Sequence, residues 1–126
     1  MKKEHILRGR VIKGLGRGKA LGFPTINLRP EKGRIPANGI YAVKCWHEQG
    51  EYRGVASIGY NPTFKDKGFS IEIYLFDFHR DLLEEEIKVS FIKKLRNEMS
   101  FSKVEDLIKR MQQDVQEARE FFRKTD

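Results

Sequence analysis

Gly39-Ile40-Tyr41-Ala42-Val43-Lys44-Cys45-Trp46-His47-Glu48-Gln49-Gly50-Glu51-Tyr52-Arg53-Gly54-Val55-Ala56-Ser57-Ile58-Gly59-Tyr60 is the stretch on which the fold turns. Its first arm, Gly39–His47, alternates Ile40, Ala42, Lys44 and Trp46 with Tyr41, Val43 and Cys45, the two-residue period of a strand. Gln49-Gly50 supplies a tight connection, so Glu51–Tyr60 is expected to return as the second arm of a hairpin. Beyond it, Asn61-Pro62-Thr63 breaks the strand and Lys65-Asp66-Lys67-Gly68 reads as a loop.

The pattern continues outward in both directions. Phe69–Phe78 is the most β-like segment, with Phe69, Ile71, Ile73 and Leu75 on one face and Glu72, Tyr74, Phe76 and Phe78 on the other. Glu86–Ile92 gives a further strand, and His5–Lys13 an amino-terminal one whose inward face the alternation does not assign. Leu28–Asn38 is polar, is broken by Pro30, Gly33 and Pro36, and reads as a loop. Strands joined without intervening helices argue for an antiparallel sheet closed into a barrel rather than an α/β layer. Near the carboxy terminus the period changes. Ser102-x-x-Glu105 is a capping-box signature, and Leu107, Ile108, Met111, Val115, Ala118, Phe121 and Phe122 then recur at helical spacing. The expectation is one mainly-β domain over residues 1–126: a small closed antiparallel β-barrel of about six strands (about 5–95) with a carboxy-terminal amphipathic α-helix (about 102–124).

Composition bounds the chemistry. A chain of 126 residues, 39% hydrophobic and 34% charged, is an ordinary globular domain able to bury a core without staples. The single cysteine, Cys45, excludes an intramolecular disulfide framework, and its apolar neighbours make it a buried, inert thiol. No apolar stretch reaches the length of a membrane span and no signal-peptide core follows Met1, so a cytoplasmic protein is expected. The net charge of +7 is uneven: residues 1–35 carry a net +8 and the remainder a net −1. A nucleic-acid backbone or a compact anion such as a nucleoside triphosphate would match that surface, and so would a plain solubilising bias.

The charge surrounds Gly14-Leu15-Gly16-Arg17-Gly18-Lys19-Ala20-Leu21-Gly22-Phe23-Pro24-Thr25-Ile26-Asn27. Glycines let backbone N–H groups close around an anion, and Arg17 and Lys19 add charge. Pro24 favours an extended backbone that puts Thr25 and Asn27 on one side. Their neutral oxygens suit magnesium only when a nucleotide brings the negative charge, and the same Pro-Thr-x-Asn unit also serves simply to shape a turn. Glu72 among aromatics lies either at a solvent edge or in a pocket, where a partly desolvated carboxylate suits a general base. His5, His47 and His79 show no metal-ligand spacing and read as surface residues.

Five ordered blocks resemble the riboflavin kinase (flavokinase) family. They are Gly9-x-Val11-x-x-Gly14 running into Gly16-Arg17-Gly18-x-x-Leu21-Gly22-Phe23-Pro24-Thr25-x-Asn27; Gly39–Val43; Ile58-Gly59-x-Asn61-Pro62-Thr63-Phe64; Ile71-Glu72 to Asp77-Phe78; and Leu95-Arg96-x-Glu98-x-x-Phe101 before Leu107-Ile108 and Asp114. The resemblance implies a Greek-key barrel and transfer of the γ-phosphoryl group of ATP to the ribityl 5′-hydroxyl of riboflavin, giving FMN and ADP. It implies ATP contacts at Gly14, Gly16, Arg17, Gly18, Lys19, Gly22, Thr25 and Asn27, magnesium on Thr25 and Asn27, Glu72 as base, and flavin contacts at Arg96 and Phe101. Riboflavin and ATP are then the expected partners of a monomer, with no nucleic acid and no membrane. A non-catalytic basic barrel binding nucleic acid is the alternative, but it gives no reason for Pro-Thr-x-Asn or for Glu72. Family members usually carry Asp-Leu-Tyr-Gly where this chain has Asp81-Leu82-Leu83-Glu84, which bears on the geometry of that loop. No segment corresponds to the FMN adenylyltransferase domain that precedes this module in many bacterial relatives, so FAD synthesis is not expected.

Overall fold

The computed structural model describes residues 5–14, 22–60 and 68–125. Among these residues, six strands, β1 (His5–Ile12), β2 (Ile26–Gly33), β3 (Gly39–His47), β4 (Gly50–Gly59), β5 (Ser70–Leu75) and β6 (Glu86–Arg96), precede one helix, α1 (Val104–Thr125). They close into a barrel in the order β1-β2-β5-β4-β3-β6, every described pairing antiparallel. The run β6-β3-β4-β5 is a Greek key: β3, β4 and β5 follow one another, and β6 returns beside β3. Closure pairs every described strand on both sides, although β2 meets β5 only at Ile26 and Asn27.

Alternation decides what faces inward. Leu7, Val11, Tyr41, Val43, Cys45, Ala56, Ile58, Ile71, Ile73, Val89 and Phe91 fill the interior. The inward face of β1 is therefore the Leu7, Gly9 and Val11 side. On the outer wall, α1 lays Ala118 and Phe122 against Ala42 and Phe76, with Val55, Tyr74 and Leu95 alongside. This is why Ala42 on the outer face of β3 is fully buried: the odd residues Tyr41, Val43 and Cys45 line the barrel, and Ala42 lies on the wall beneath α1. Burial pushes the Cys45 thiol far up, consistent with an inert core residue.

Four expectations are corrected. Leu28–Gly33 belongs to β2 rather than to a loop. Strand β2 pairs with β1 along its length but with β5 only at Ile26 and Asn27, so from Leu28 on it behaves as an edge, where exposed polar residues and Pro30 are tolerated. Phe78 does not share the face of Glu72. The strand ends at Leu75, Asp77 adopts φ 55°, and the reversed chain sends Phe78 into the interior against Tyr52 (ring centroids 4.7 Å). His47 is buried rather than at the surface, because it falls on the inward register of β3 after Tyr41, Val43 and Cys45. The helix starts at Val104, with the Lys103 carbonyl accepting from Leu107 N–H (3.3 Å), so Lys103 takes the cap position expected for Ser102.

Candidate active site

The register of two strands builds the centre of the site. Asn27 on β2 stands directly opposite Glu72 on β5, and Ser57 on β4 flanks Glu72 on its other side. Directly opposed residues bring their side chains together on one face, here the outer wall of the barrel. Thr25, just before β2, donates its hydroxyl to Glu72 Oε1 (3.2 Å), and Ser70, opening β5, donates to Oε2 (3.3 Å). Glu72 is only 7% exposed although its side chain leaves the outer wall. A carboxylate so withdrawn from water needs donors on its oxygens, and these hydroxyls provide them.

Gly14 closes the other side. A Cβ there would meet Asn27 Nδ2 at 1.8 Å and Cγ at 2.2 Å, so the Asn27 side chain fills the space that glycine leaves. Gly22 adopts φ +89°, a left-handed conformation natural to glycine, and Phe23 packs edge-on against Tyr74 (5.6 Å). That contact fixes the approach of Pro24-Thr25 to the sheet. Gly16, Arg17, Gly18 and Lys19, expected to embrace phosphates, lie outside the described residues.

Thr25, Asn27, Glu72 and Gly14 are thus brought together. Their donor set fits magnesium of the nucleotide-bound kind: a hydroxyl oxygen and an amide oxygen from the protein, with the remaining ligands left to phosphates and water. The Thr25 hydroxyl proton points to Glu72, which leaves its oxygen lone pairs for a cation.

Arg96 is placed differently from the other expected site residues. Its guanidinium is engaged with α1, donating from Nε to Asp114 Oδ1 (2.8 Å) and from Nη2 to Oδ2 (2.7 Å). Arg110 Nε lies 3.4 Å from the same carboxylate. This bidentate pair ties the end of β6 to the helix. Phe101 is half-buried in the connection between them. The intervening Glu98 accepts from Tyr60 N–H (2.9 Å), and its carboxylate occupies the space a Cβ on Gly59 would need. Gly59 pairs with Ser70, so Glu98 reaches the same wall that carries Glu72. The sequence reading did not single out Ser70, and it named Asp114 in the last of the five blocks without pairing it to Arg96. Two signals were readable: a hydroxyl two residues from the strand carboxylate, and an acid on the apolar stripe of α1.

His47 Nε2 lies 2.5 Å from Glu85 Oε1, and with Glu48 the three potential ligand atoms fall within 4.8 Å of one another. Its Nδ1 is buried with no partner among the described residues. A metal-bound imidazole ordinarily has that second nitrogen hydrogen-bonded, so the contact reads as a clamp between the β3–β4 turn and the start of β6. In the Asp81–Glu84 turn, Glu84 adopts φ 70°, the conformation in which glycine is at ease. Bonds from Glu84 N–H to Val11 O (2.7 Å) and from Arg10 Nη1 to Glu84 O (2.7 Å) hold it there. The departure from the family pattern therefore leaves a glycine-type backbone in place.

Comparison with known proteins decides the family. Residues 1–122 match the family described as Flavokinase: Riboflavin kinase. The chain belongs to the riboflavin kinase family. It is 45% identical over 119 residues to a bifunctional riboflavin kinase/FMN adenylyltransferase of Listeria monocytogenes, covering 93% of this chain and 38% of that protein. It is 38% identical over 111 residues to the RNA-binding riboflavin kinase RibR of Bacillus subtilis, covering 87% of this chain and 48% of the relative. The chain thus spans less than half the length of these curated relatives. Among solved structures, the riboflavin kinase of Trypanosoma brucei shares the fold, with a TM-score of 0.64 at 22% identity over 98% of this chain and 83% of that one.

Proposed function

We propose that the chain is an ATP- and magnesium-dependent riboflavin kinase that moves the γ-phosphoryl group of ATP to the ribityl 5′-hydroxyl of riboflavin, giving FMN and ADP. The observation that carries this reading is the buried Glu72 carboxylate, bonded to Thr25 and directly opposite Asn27. Phosphoryl transfer calls for alignment and charge neutralisation more than covalent help from the protein. Glu72 accepts the proton of the 5′-hydroxyl as its oxygen bonds to the γ-phosphorus and the bond to the β-phosphate oxygen breaks. Thr25 and Asn27 would hold magnesium, which when bound neutralises charge on the nucleotide phosphates. Gly14, Gly16, Arg17, Gly18, Lys19 and Gly22 would surround those phosphates with N–H groups and positive charge. Arg96 and Phe101 would close the flavin side, with Arg96 acting through its anchorage to Asp114.

The reading takes riboflavin and ATP as the partners of a monomeric, cytoplasmic protein. The test is incubation with riboflavin, ATP and magnesium, followed by chromatographic separation of the flavins. FMN is expected from wild type, and a loss of about 100-fold or more in kcat from Glu72→Gln. No FMN from wild type would remove the kinase reading, and full activity in Glu72→Gln would remove the base. Salt-dependent affinity for single-stranded RNA without flavin binding would favour the nucleic-acid alternative.

A further inference from the structure

We propose that Ser70 is a positioning residue for the Glu72 base, an inference that rests on the kinase reading above. Residues 70 and 72 project from the same face of β5, about 7 Å apart along the strand. The terminal torsion of a glutamate is broad and roughly two-fold, so a carboxylate held through one oxygen still pivots about that contact. Here the two oxygens have different donors, Thr25 on Oε1 from the segment just before β2 and Ser70 on Oε2 from β5 itself. Together they fix both the position and the plane of the carboxylate.

The two donors are not equivalent. Thr25 belongs to the set that would hold magnesium, so its hydroxyl serves two ligands. Ser70 stands on the opposite side of the carboxylate, at the first residue of β5, where its bond to Glu72 does not compete with the cation. A carboxylate oxygen has lone-pair capacity for more than one donor, so the Ser70 bond leaves Glu72 able to accept the substrate proton. Ser70 therefore holds the base in its orientation while the Thr25 side is loaded with metal and nucleotide.

Steady-state kinetics of the full chain, with riboflavin and ATP varied separately, test this on Ser70→Ala, Ser70→Thr, Glu72→Gln and the double variant Ser70→Ala/Glu72→Gln. Misplacing a reacting group by about 1 Å costs on the order of 100-fold, so kcat of Ser70→Ala is expected to fall roughly 10- to 100-fold. Both KM values should stay within about twofold, because neither substrate is bound by Ser70. Ser70→Thr keeps the hydroxyl and should recover most of the loss. In the double variant the serine has nothing left to position, so the loss should match that of Glu72→Gln alone. Wild-type kcat in Ser70→Ala, or a loss that threonine does not restore, overturns the proposal. So does a double variant slower than Glu72→Gln. An active Glu72→Gln removes the base itself and the proposal with it, whereas an inactive Glu72→Gln beside an unaffected Ser70→Ala removes only the positioning role.

Discussion

Asp114→Ala should be among the most damaging single substitutions in α1. The Asp114 side chain is 4% exposed and that of Arg96 10%, and the two share a bidentate contact at 2.7 and 2.8 Å. Arg110, its side chain 25% exposed, approaches the same carboxylate at 3.4 Å. Truncation leaves the Arg96 charge buried without its counter-ion, which typically costs about 3–5 kcal/mol. With an unfolding entropy of about 2.1 cal/mol/K per residue, a chain of 126 residues has about 0.26 kcal/mol/K at its midpoint. The melting temperature should therefore fall by about 11–19 °C, read by far-UV circular dichroism and checked by urea unfolding. Arg96→Met/Asp114→Leu removes both charges and should regain most of the loss, since apolar replacement of a buried pair is often near neutral. A drop of less than about 3 °C in Asp114→Ala would refute the reasoning: it would mean that water reaches Arg96 and that the pair does not anchor α1 to β6.

Gly14→Ala separates site geometry from stability. The new Cβ would collide with Asn27, a side chain able to swing aside, so the fold should survive while the proposed metal ligand is displaced. Activity is expected to fall roughly 10-fold or more with a raised magnesium requirement, and Gly14→Ala/Asn27→Ala should be no worse than Asn27→Ala, measured by magnesium titration of initial rates. Glu84→Gly relieves a left-handed backbone that costs an ordinary residue about 1–2 kcal/mol, partly offset by the greater freedom of glycine in the unfolded chain. A net gain of about 0.5–1 kcal/mol should raise the melting temperature by about 2–4 °C.

What the chain reveals of itself before folding follows from which forces are local. Alternation in Gly39–His47 and Phe69–Leu75 is imposed by the pleat, so β3, most of β5 and the barrel class were legible, as was α1 from its apolar period. Strand β2 was not, because Arg29–Gly33 is exposed and carries Pro30; it is a strand by virtue of its ladder with β1, and a ladder partner leaves no mark on a polar segment. The face of Phe78 was misread for a related reason: the turn at Asp77 rests on a left-handed residue that is not glycine. Thr25, Asn27 and Glu72 were legible as residue types, but their meeting depends on the register between β2 and β5, which is set at long range. His47 could have been placed inside by extending the alternation of β3 by one step. Its polarity argued the other way, and the partner that makes burial tolerable, Glu85, lies 38 residues along the chain.

That register also explains how a site can tolerate loop variation. The lateral spacing of Asn27 and Glu72 is set by the ladder between their strands, and Ser70 lies within the same strand as Glu72. The proposed base and one of the proposed metal oxygens therefore stand on the sheet, whose geometry a barrel enforces by closure. Gly14, Gly22 and Thr25 instead belong to the connection between β1 and β2, and Asp81–Glu84 to the connection between β5 and β6. On the proposed reading, changes in those connections alter how tightly a nucleotide or flavin is held without shifting Glu72 relative to Asn27. Replacement of the usual Tyr-Gly by Leu83-Glu84 is a change of this kind. Its consequence should appear in KM while kcat in Glu84→Gly stays near that of wild type, and a kcat altered several-fold by that substitution would show that the loop, and not the ladder, sets the position of the base.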